Sequence, residues 1–179
     1  DFIMSKTVFL DRDGTIIVDK HYLQNPDDVE LIPDAGLSLA CLNRAGYQII
    51  VVSNQSGVGR GVFTEMDVML VNARIDDLIF DYGARIDGYY YCPHDPDESF
   101  KCNCRKPADG LYRQALSKFQ IDLSQSWMIG DKMSDINFAL ELGITPILVK
   151  TGYGKEVQDW CGLVSESIRE ATLVILDGK

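Results

Sequence analysis

Asp11 and Asp13 stand one residue apart and are followed at once by Gly14 and Thr15. Like charges that close resist joint ionisation. A bound cation relieves the conflict, and Mg²⁺ prefers such oxygen ligands. Gly14 permits a turn sharp enough to leave both acids near one point. Solvated acids in an ordinary turn explain the same residues, since short motifs match by chance. Ser53, Asn54, Gln55 and Ser56 precede Gly57, Gly59 and Gly61. Hydroxyl, amide and backbone donors of this kind can wrap a phosphate, although a loop with glycines for turns reads the same way. Gly130, Asp131 and Lys132 offer a third carboxylate, with Asp135 one helical turn later. There a helix N-cap competes for Asp131, and a first-turn acid answering the helix dipole competes for Asp135.

Cys92, His94, Cys102 and Cys104 form a second constellation. Three thiolates and an imidazole match a filled tetrahedral Zn²⁺ site, whose role is structural because no position is left for substrate. A reduced, metal-free thiol cluster is the alternative. Arg105 and Lys106 follow immediately. A zinc-pinned loop over 92–104 would hold these two cations at a crevice instead of leaving them solvated.

The elements that must position these residues alternate. Short apolar runs at Thr7 to Leu10, Tyr47 to Val52, Ile86 to Tyr91, Trp127 to Ile129 and Pro146 to Val149 read as buried strands. Helices are expected at Asp34 to Arg44, Thr64 to Tyr82 (capped by Thr64), Ala108 to Phe119 and Ser134 to Leu142. Such alternation implies an α/β fold, a doubly wound, Rossmann-like parallel sheet covered on both faces. These sheets bind ligands beyond the carboxyl ends of their strands. The acid pair, the Ser53 loop and Asp131 all fall there.

Composition sets limits on what such a crevice serves. The chain has 179 residues, with 27 Asp and Glu against 17 Lys and Arg, a net charge of −10, and 46% hydrophobic residues. That suits one domain with a real core, here 4–179, and excludes disorder of the whole chain. Residues Asp1 to Ile3 carry no structural weight, with Met4 as the expected start. A strongly acidic balance disfavours a nucleic-acid partner, which needs a basic face. A small phosphorylated substrate stays possible, because a few placed cations dominate a local field. No apolar run approaches a membrane span, and the N-terminus has no secretion-signal pattern. No membrane partner and a reducing, cytoplasmic setting are expected, with the chain a monomer. Of the five cysteines, Cys41 and Cys161 then read as buried inert thiols.

The motifs Phe9-Leu-Asp-Arg-Asp-Gly-Thr-Ile16, Ser53-Asn-Gln-Ser-Gly-Val-Gly-Arg-Gly61, Tyr90-Tyr-Cys-Pro-His94, Cys102-Asn-Cys-Arg-Lys-Pro107 and Ile129-Gly-Asp-Lys132 resemble the haloacid dehalogenase superfamily of phosphohydrolases. More closely, the chain resembles the D-glycero-D-manno-heptose 1,7-bisphosphate 7-phosphatases, with the histidinol-phosphate phosphatases next to them. The Val18-Asp-Lys-His-Tyr22 run looks like the heptose enzymes, except that His21 stands where a small Gly is common. The short loop between the zinc-ligand pairs looks more like the histidinol-phosphate enzymes.

The resemblance implies that Asp11 attacks phosphorus and Asp13 acts as general acid, then base. It implies Mg²⁺ held by Asp11, Asp13 (through its carbonyl) and Asp131, with Ser53 and Lys106 clamping the phosphoryl group. Arg105, Asp19, Lys20, His21, Tyr22, Asn54, Gln55, Ser56 and Lys132 are the implied substrate contacts. Arg60 would add charge for a second phosphate. The implied activity is removal of the 7-phosphate in supplying ADP-heptose for lipopolysaccharide core. Histidinol-phosphate hydrolysis is the alternative, as is a phospho-accepting receiver domain without turnover. The segment from Ile16 to Pro33 and the zinc loop are too short for a separate cap domain.

Overall fold

A computed structural model describes residues 3–178 of the chain. Lys179, the last residue of the expected domain, lies outside them, as do Asp1 and Phe2. Six parallel strands form one sheet in the order β3-β2-β1-β4-β5-β6. They are β1 (Thr7–Leu10), β2 (Gln48–Asn54), β3 (Gly88–Cys92), β4 (Trp127–Gly130), β5 (Thr145–Val149) and β6 (Leu163–Ser165). The helices are α1 (Ala35–Arg44), α2 (Glu65–Phe80), α3 (Gly110–Ala115), α4 (Met133–Leu142) and α5 (Ile168–Asp177).

Every residue of β1 is buried because both sheet faces are covered. Val8 and Leu10 pack with Leu39, Val71, Ile75 and Ile175 from α1, α2 and α5. Phe9 points the other way and packs with Leu111, Phe138 and Ala139 from α3 and α4. Strand order reverses direction on either side of β1, which pairs with both β2 and β4. The crevice at that switch point is where such sheets take ligands.

Thr64 caps α2 in a reciprocal capping box with Asp67. Expected and observed boundaries differ in three places that matter. β2 runs on through Ser53 and Asn54, which pair with Tyr91 and Cys92, so Ser53 lies within the strand instead of following it. α3 is much shorter than Ala108 to Phe119. Its start is delayed because Gly110 donates to the Asn103 carbonyl at 2.9 Å, tying the chain to the cysteine loop. β6 and α5 lie beyond the last expected element, although Ile168, Ala171, Thr172 and Ile175 mark a buried helical face. The segment between Ile16 and Pro33 forms only a short 3₁₀ turn at Pro26–Asp28 and isolated bridges, including Ile17 with Leu31. It makes no separate cap.

Cys41 and Cys161 differ from expectation: Cys41 is half-buried and Cys161 exposed. Apolar neighbours in sequence do not bury Cys161, which sits in an irregular stretch between Trp160 and Gly162. No helix among the described residues is long and apolar enough to cross a membrane.

Candidate active site

β1 aims Asp11 into the crevice, and its amide extends the ladder by donating to the Ile129 carbonyl at 3.0 Å. Asp11, Lys106, Asp131 and Asp135 are all buried. The Lys106 ammonium donates to Asp11 Oδ1 at 2.9 Å, Asp135 Oδ1 at 2.6 Å and the Val52 carbonyl at 2.7 Å. Burial alone would lower its pKa, but Asp11 and Asp135 outweigh burial and raise it. Burial likewise works to raise Asp11. The charges of Lys106 and Lys132 win, leaving the Asp11 carboxyl below its ordinary value and ready to act as an anion.

Asp131 has no such cation in contact. Burial, then the Asp11 and Asp135 charges, push its carboxyl up to about 9. Its Oδ2 accepts the Tyr153 amide at 3.0 Å, and its buried Oδ1 has no hydrogen-bond partner among the described residues. Asp11, Asp131 and Asp135 each offer an oxygen within 4.8 Å of the others. Buried carboxylates outnumber the one buried ammonium, and one oxygen is orphaned, so a hard divalent cation fits here. Asp135 is better suited to anchoring than to ligation. Its Oδ2 accepts the Asp131 and Lys132 amides, both at 3.1 Å, while Lys106 occupies Oδ1.

Backbone approaches this centre closely. Gly14, at φ 83°, and Gly152, at φ 59°, both lie so near Asp131 Oδ2 that a Cβ on either would collide with it. Thr151 Oγ1 donates to the Gly14 carbonyl at 2.7 Å, which ties the loop after β5 to the turn after β1. Sequence reasoning passed over Thr151 and Tyr153. Their position just past a strand's carboxyl end is the signal that could have found them.

Asp13 turns aside from the buried acids. Its Oδ2 accepts Arg12 Nε at 2.9 Å and Gln55 Nε2 at 3.0 Å, and its side chain is 21% exposed. It lines an open cleft of about 190 Å³ with Asp19, His21, Tyr22, Asn54, Gln55, Ser56, Lys132 and Tyr153. A larger hollow of about 610 Å³ lies past Lys132 and Tyr153 and does not include Asp13. Neither hollow is lined by Asp11, Asp131 or Asp135, and the smaller cleft meets the site through Asp13.

Ser53 is buried, with its Oγ accepting Gln55 Nε2 at 3.3 Å. Asn54 clasps the Lys106 backbone from both sides, accepting its amide at 2.9 Å and donating to its carbonyl at 3.2 Å. Gln55 divides its amide among Arg12, Asp13 and Ser53. Arg105 Nη1 is buried without a partner among the described residues.

Two expected cations are placed elsewhere. Lys20 donates to the Asp28 carbonyl at 2.8 Å and pairs with Glu30 at 3.2 Å, outside the cleft lining. Arg60 is engaged by Asp95 at 3.1 Å and Asp97 at 2.9 Å, so it braces the cysteine loop and is not held ready for a phosphate. Lys132 does face the cleft and lies over the Tyr153 ring at 5.0 Å. Its pKa is raised, because Asp11, Asp131, Asp135 and Asp19 outweigh burial. His21 and Tyr22 sit at the rim with φ of 50° and 56°. That left-handed backbone is strained for both residues, a feature that clusters at ligand sites. Asp19 supports the turn by accepting the His21 amide at 2.9 Å.

The sulfur cluster closes on itself. His94 Nδ1 lies 3.4 Å from Cys92 Sγ and 3.2 Å from Cys104 Sγ, and Cys92 Sγ lies 3.6 Å from Cys102 Sγ. All four ligand atoms fall within 4.8 Å of one another. Burial raises Cys92 and Cys104, whereas at Cys102 the Arg105 and Cys104 amides overcome burial and lower the thiol to about 6. Three sulfurs and a nitrogen converging on one point suit Zn²⁺. The loop is also sewn to the Ser53 segment: Gln55 donates to the Cys92 carbonyl and Gly59 to the Pro93 carbonyl, both at 2.8 Å.

A parallel sheet that carries an ionised aspartate after its first strand, a buried lysine and a further acid after its fourth has the fold and site of a haloacid dehalogenase-type hydrolase. Residues 103–171 match the HAD-hydrolase-like family model. The chain is 43% identical over 153 residues to the D-glycero-beta-D-manno-heptose-1,7-bisphosphate 7-phosphatase of Haemophilus ducreyi, covering 82% of this chain and 84% of that one. It is 40% identical over 151 residues to the enzyme of the same name from Escherichia coli K12, covering 81% and 79%. A crystal structure of D,D-heptose 1,7-bisphosphate phosphatase from B. bronchiseptica, complexed with magnesium and phosphate, superposes with a TM-score of 0.87 at 28% identity. It covers 97% of this chain and 99% of that one. The chain belongs to the heptose 1,7-bisphosphate 7-phosphatase family of the haloacid dehalogenase superfamily.

Proposed function

We propose that the chain is a Mg²⁺-dependent phosphomonoesterase that removes the 7-phosphate of D-glycero-β-D-manno-heptose 1,7-bisphosphate, working as a monomer in the cytoplasm. The observation that carries this reading is the buried, ionised Asp11 held by Lys106 beside an orphaned Asp131 oxygen. The relatives' names supply the substrate and its β anomer.

The Asp11 and Asp131 carboxylates, with the Asp13 backbone carbonyl, would hold Mg²⁺, which when bound neutralises charge between nucleophile and phosphoryl oxygens. An Asp11 oxygen forms a bond to phosphorus as the bond to the sugar C7 oxygen breaks. Asp13 gives its proton to that departing alkoxide. Asp13, now a carboxylate, takes a proton from water as the water oxygen attacks phosphorus. The bond to Asp11 then breaks and inorganic phosphate leaves. Ser53 and Lys106 meet the spread charge of the transferring group with fixed donors. The unpartnered Arg105 guanidinium nitrogen and Lys132 are the cations left for the rest of the substrate. Cys92, His94, Cys102 and Cys104 would hold Zn²⁺, which would fix the backbone that carries Arg105 and Lys106. The domain is 4–179 as a single unit, with the loop at 92–104 part of it.

Phosphate release from both heptose bisphosphate anomers and from histidinol phosphate, with and without a chelator, tests the reading. The expected result is the highest kcat/KM on the β anomer and its loss on chelation. Equal or better turnover of histidinol phosphate would overturn the substrate assignment.

A further inference from the structure

Arg12 stands between the two acids and takes no part in the bond-making or proton-transfer steps. It is the largest fully buried side chain among the described residues, at 1% exposure, and it does not line the cleft. Burying a guanidinium is unfavourable unless its donors are met, and an apolar side chain of similar volume serves packing at least as well. Its donors are met by a specific set. Nη1 donates to Asn72 Oδ1 at 3.1 Å, Nη2 to Gln55 Oε1 at 3.2 Å, and Nε to Asp13 Oδ2 at 2.9 Å. Asn72 is a polar residue on the buried face of α2, among Val68, Val71, Ile75 and Ile79. Gln55 closes the ring by donating to the same Asp13 Oδ2 at 3.0 Å.

The two oxygens of Asp13 are therefore unequal. Oδ2 receives two good hydrogen bonds, whereas Oδ1 has only a 3.4 Å contact from Arg12 Nη2. The carboxylate as a whole still reaches the cleft. We propose that Arg12, braced by Asn72 and Gln55, is a positioning residue for Asp13: it anchors Oδ2 and leaves Oδ1 as the oxygen that exchanges the proton with the leaving group. Neighbouring residues in an extended chain point apart. The pairing of Arg12 with Asp13 needs the turn after β1, in which the Arg12 carbonyl accepts the Ile16 amide at 2.9 Å. A general acid displaced by about 1 Å can lose on the order of a hundredfold in rate. The planar fork is what a lysine cannot reproduce.

This inference rests on Asp13 acting as the general acid, and leaving-group dependence separates the two. The p-nitrophenolate ion departs from p-nitrophenyl phosphate without protonation, whereas a sugar alkoxide does not. The quantity to measure is kcat/KM, which counts steps only through phosphoryl transfer to Asp11. The substrates are p-nitrophenyl phosphate and heptose bisphosphate (or the alkyl phosphate that the wild type hydrolyses fastest). Asp13→Asn should lose at least about tenfold more on the alkyl than on the aryl ester. Arg12→Lys should show the same bias with a smaller total loss, and Asn72→Leu a bias of about threefold. Equal losses on both esters in Arg12→Lys and Asn72→Leu, beside a clear bias in Asp13→Asn, would overturn the positioning role and keep the acid. No bias in Asp13→Asn would overturn both. If Arg12→Lys fails to fold, Asn72→Leu, altered on a helix away from the cleft, decides alone.

Discussion

The oxygen cluster at Asp11, Asp131 and Asp135 and the sulfur cluster at Cys92, His94, Cys102 and Cys104 are two answers to one problem, gathering repelling ligands at a point. They are joined through Arg105 and Lys106, yet they are finished differently. The four sulfur-cluster groups face each other with no member left over. The oxygen cluster leaves Asp131 Oδ1 without a partner and holds Asp11 ionised beside a lysine. Closed sites of this kind stabilise, whereas incomplete ones can bind and react. Residue type and completeness of contacts, taken together, separate scaffold from chemistry.

Exchanging Lys106 for Met attacks the oxygen cluster most severely. It should lower kcat/KM by about a thousandfold or more. It should also destabilise the fold by about 3 kcal/mol, because two buried carboxylates lose their shared cation. Steady-state kinetics and denaturant melts read the two effects separately. Wild-type-like turnover would place the phosphoryl clamp elsewhere.

Cys102→Ser strikes the other cluster. Zinc content by metal analysis should fall and activity drop by about tenfold, with Mg²⁺ binding by titration retained, since the loop carries Arg105 and Lys106 but supplies no oxygen ligand. Unchanged zinc content would remove Cys102 from the ligand set.

A pH series distinguishes the clusters without mutation. Asp131 is raised from the ordinary 3.8 to about 9. In the metal-free protein its contribution to stability is therefore present below pH 3.8 and lost as pH rises through about 9. Mg²⁺ needs the carboxylate, so the thermal stabilisation given by Mg²⁺ should grow as pH rises through that window. A stabilisation that stays flat would remove Asp131 from the metal site. Lys20→Ala is the smallest change, expected within about twofold of wild-type kcat/KM because its ammonium serves Asp28 and Glu30. A tenfold rise in KM would return Lys20 to the substrate site.

The two clusters were also unequally legible in sequence. Cys92, His94, Cys102 and Cys104 announce themselves because thiols are scarce and their chemistry narrow. Asp11 and Asp13 were readable because they follow a strand at a sheet's switch point. Asp135 was not singled out as a site residue, since its spacing fits a first-turn acid equally well, and only burial and Lys106 separate the two. Arg12 reads as a spacer between acids. Asn72 alone breaks the apolar stripe of α2, a signal that shows a buried polar group but not its partner. Lys20 and Arg60 show the opposite case, cations whose partners in the fold lie outside the motif that suggested them. Charge in a motif cannot reveal that a carbonyl or a nearby aspartate already holds it.

Phosphoenzyme trapping bears most directly on Asp11. Rapid quenching of the Mg²⁺-loaded enzyme during turnover of ³²P-labelled substrate, followed by peptide mapping, should place label on the peptide containing Asp11. Asp11→Asn should fold normally, take no label and release no phosphate above background. Label on another residue, or full phosphate release by Asp11→Asn, would contradict the assignment of the chemistry to the oxygen cluster through Asp11.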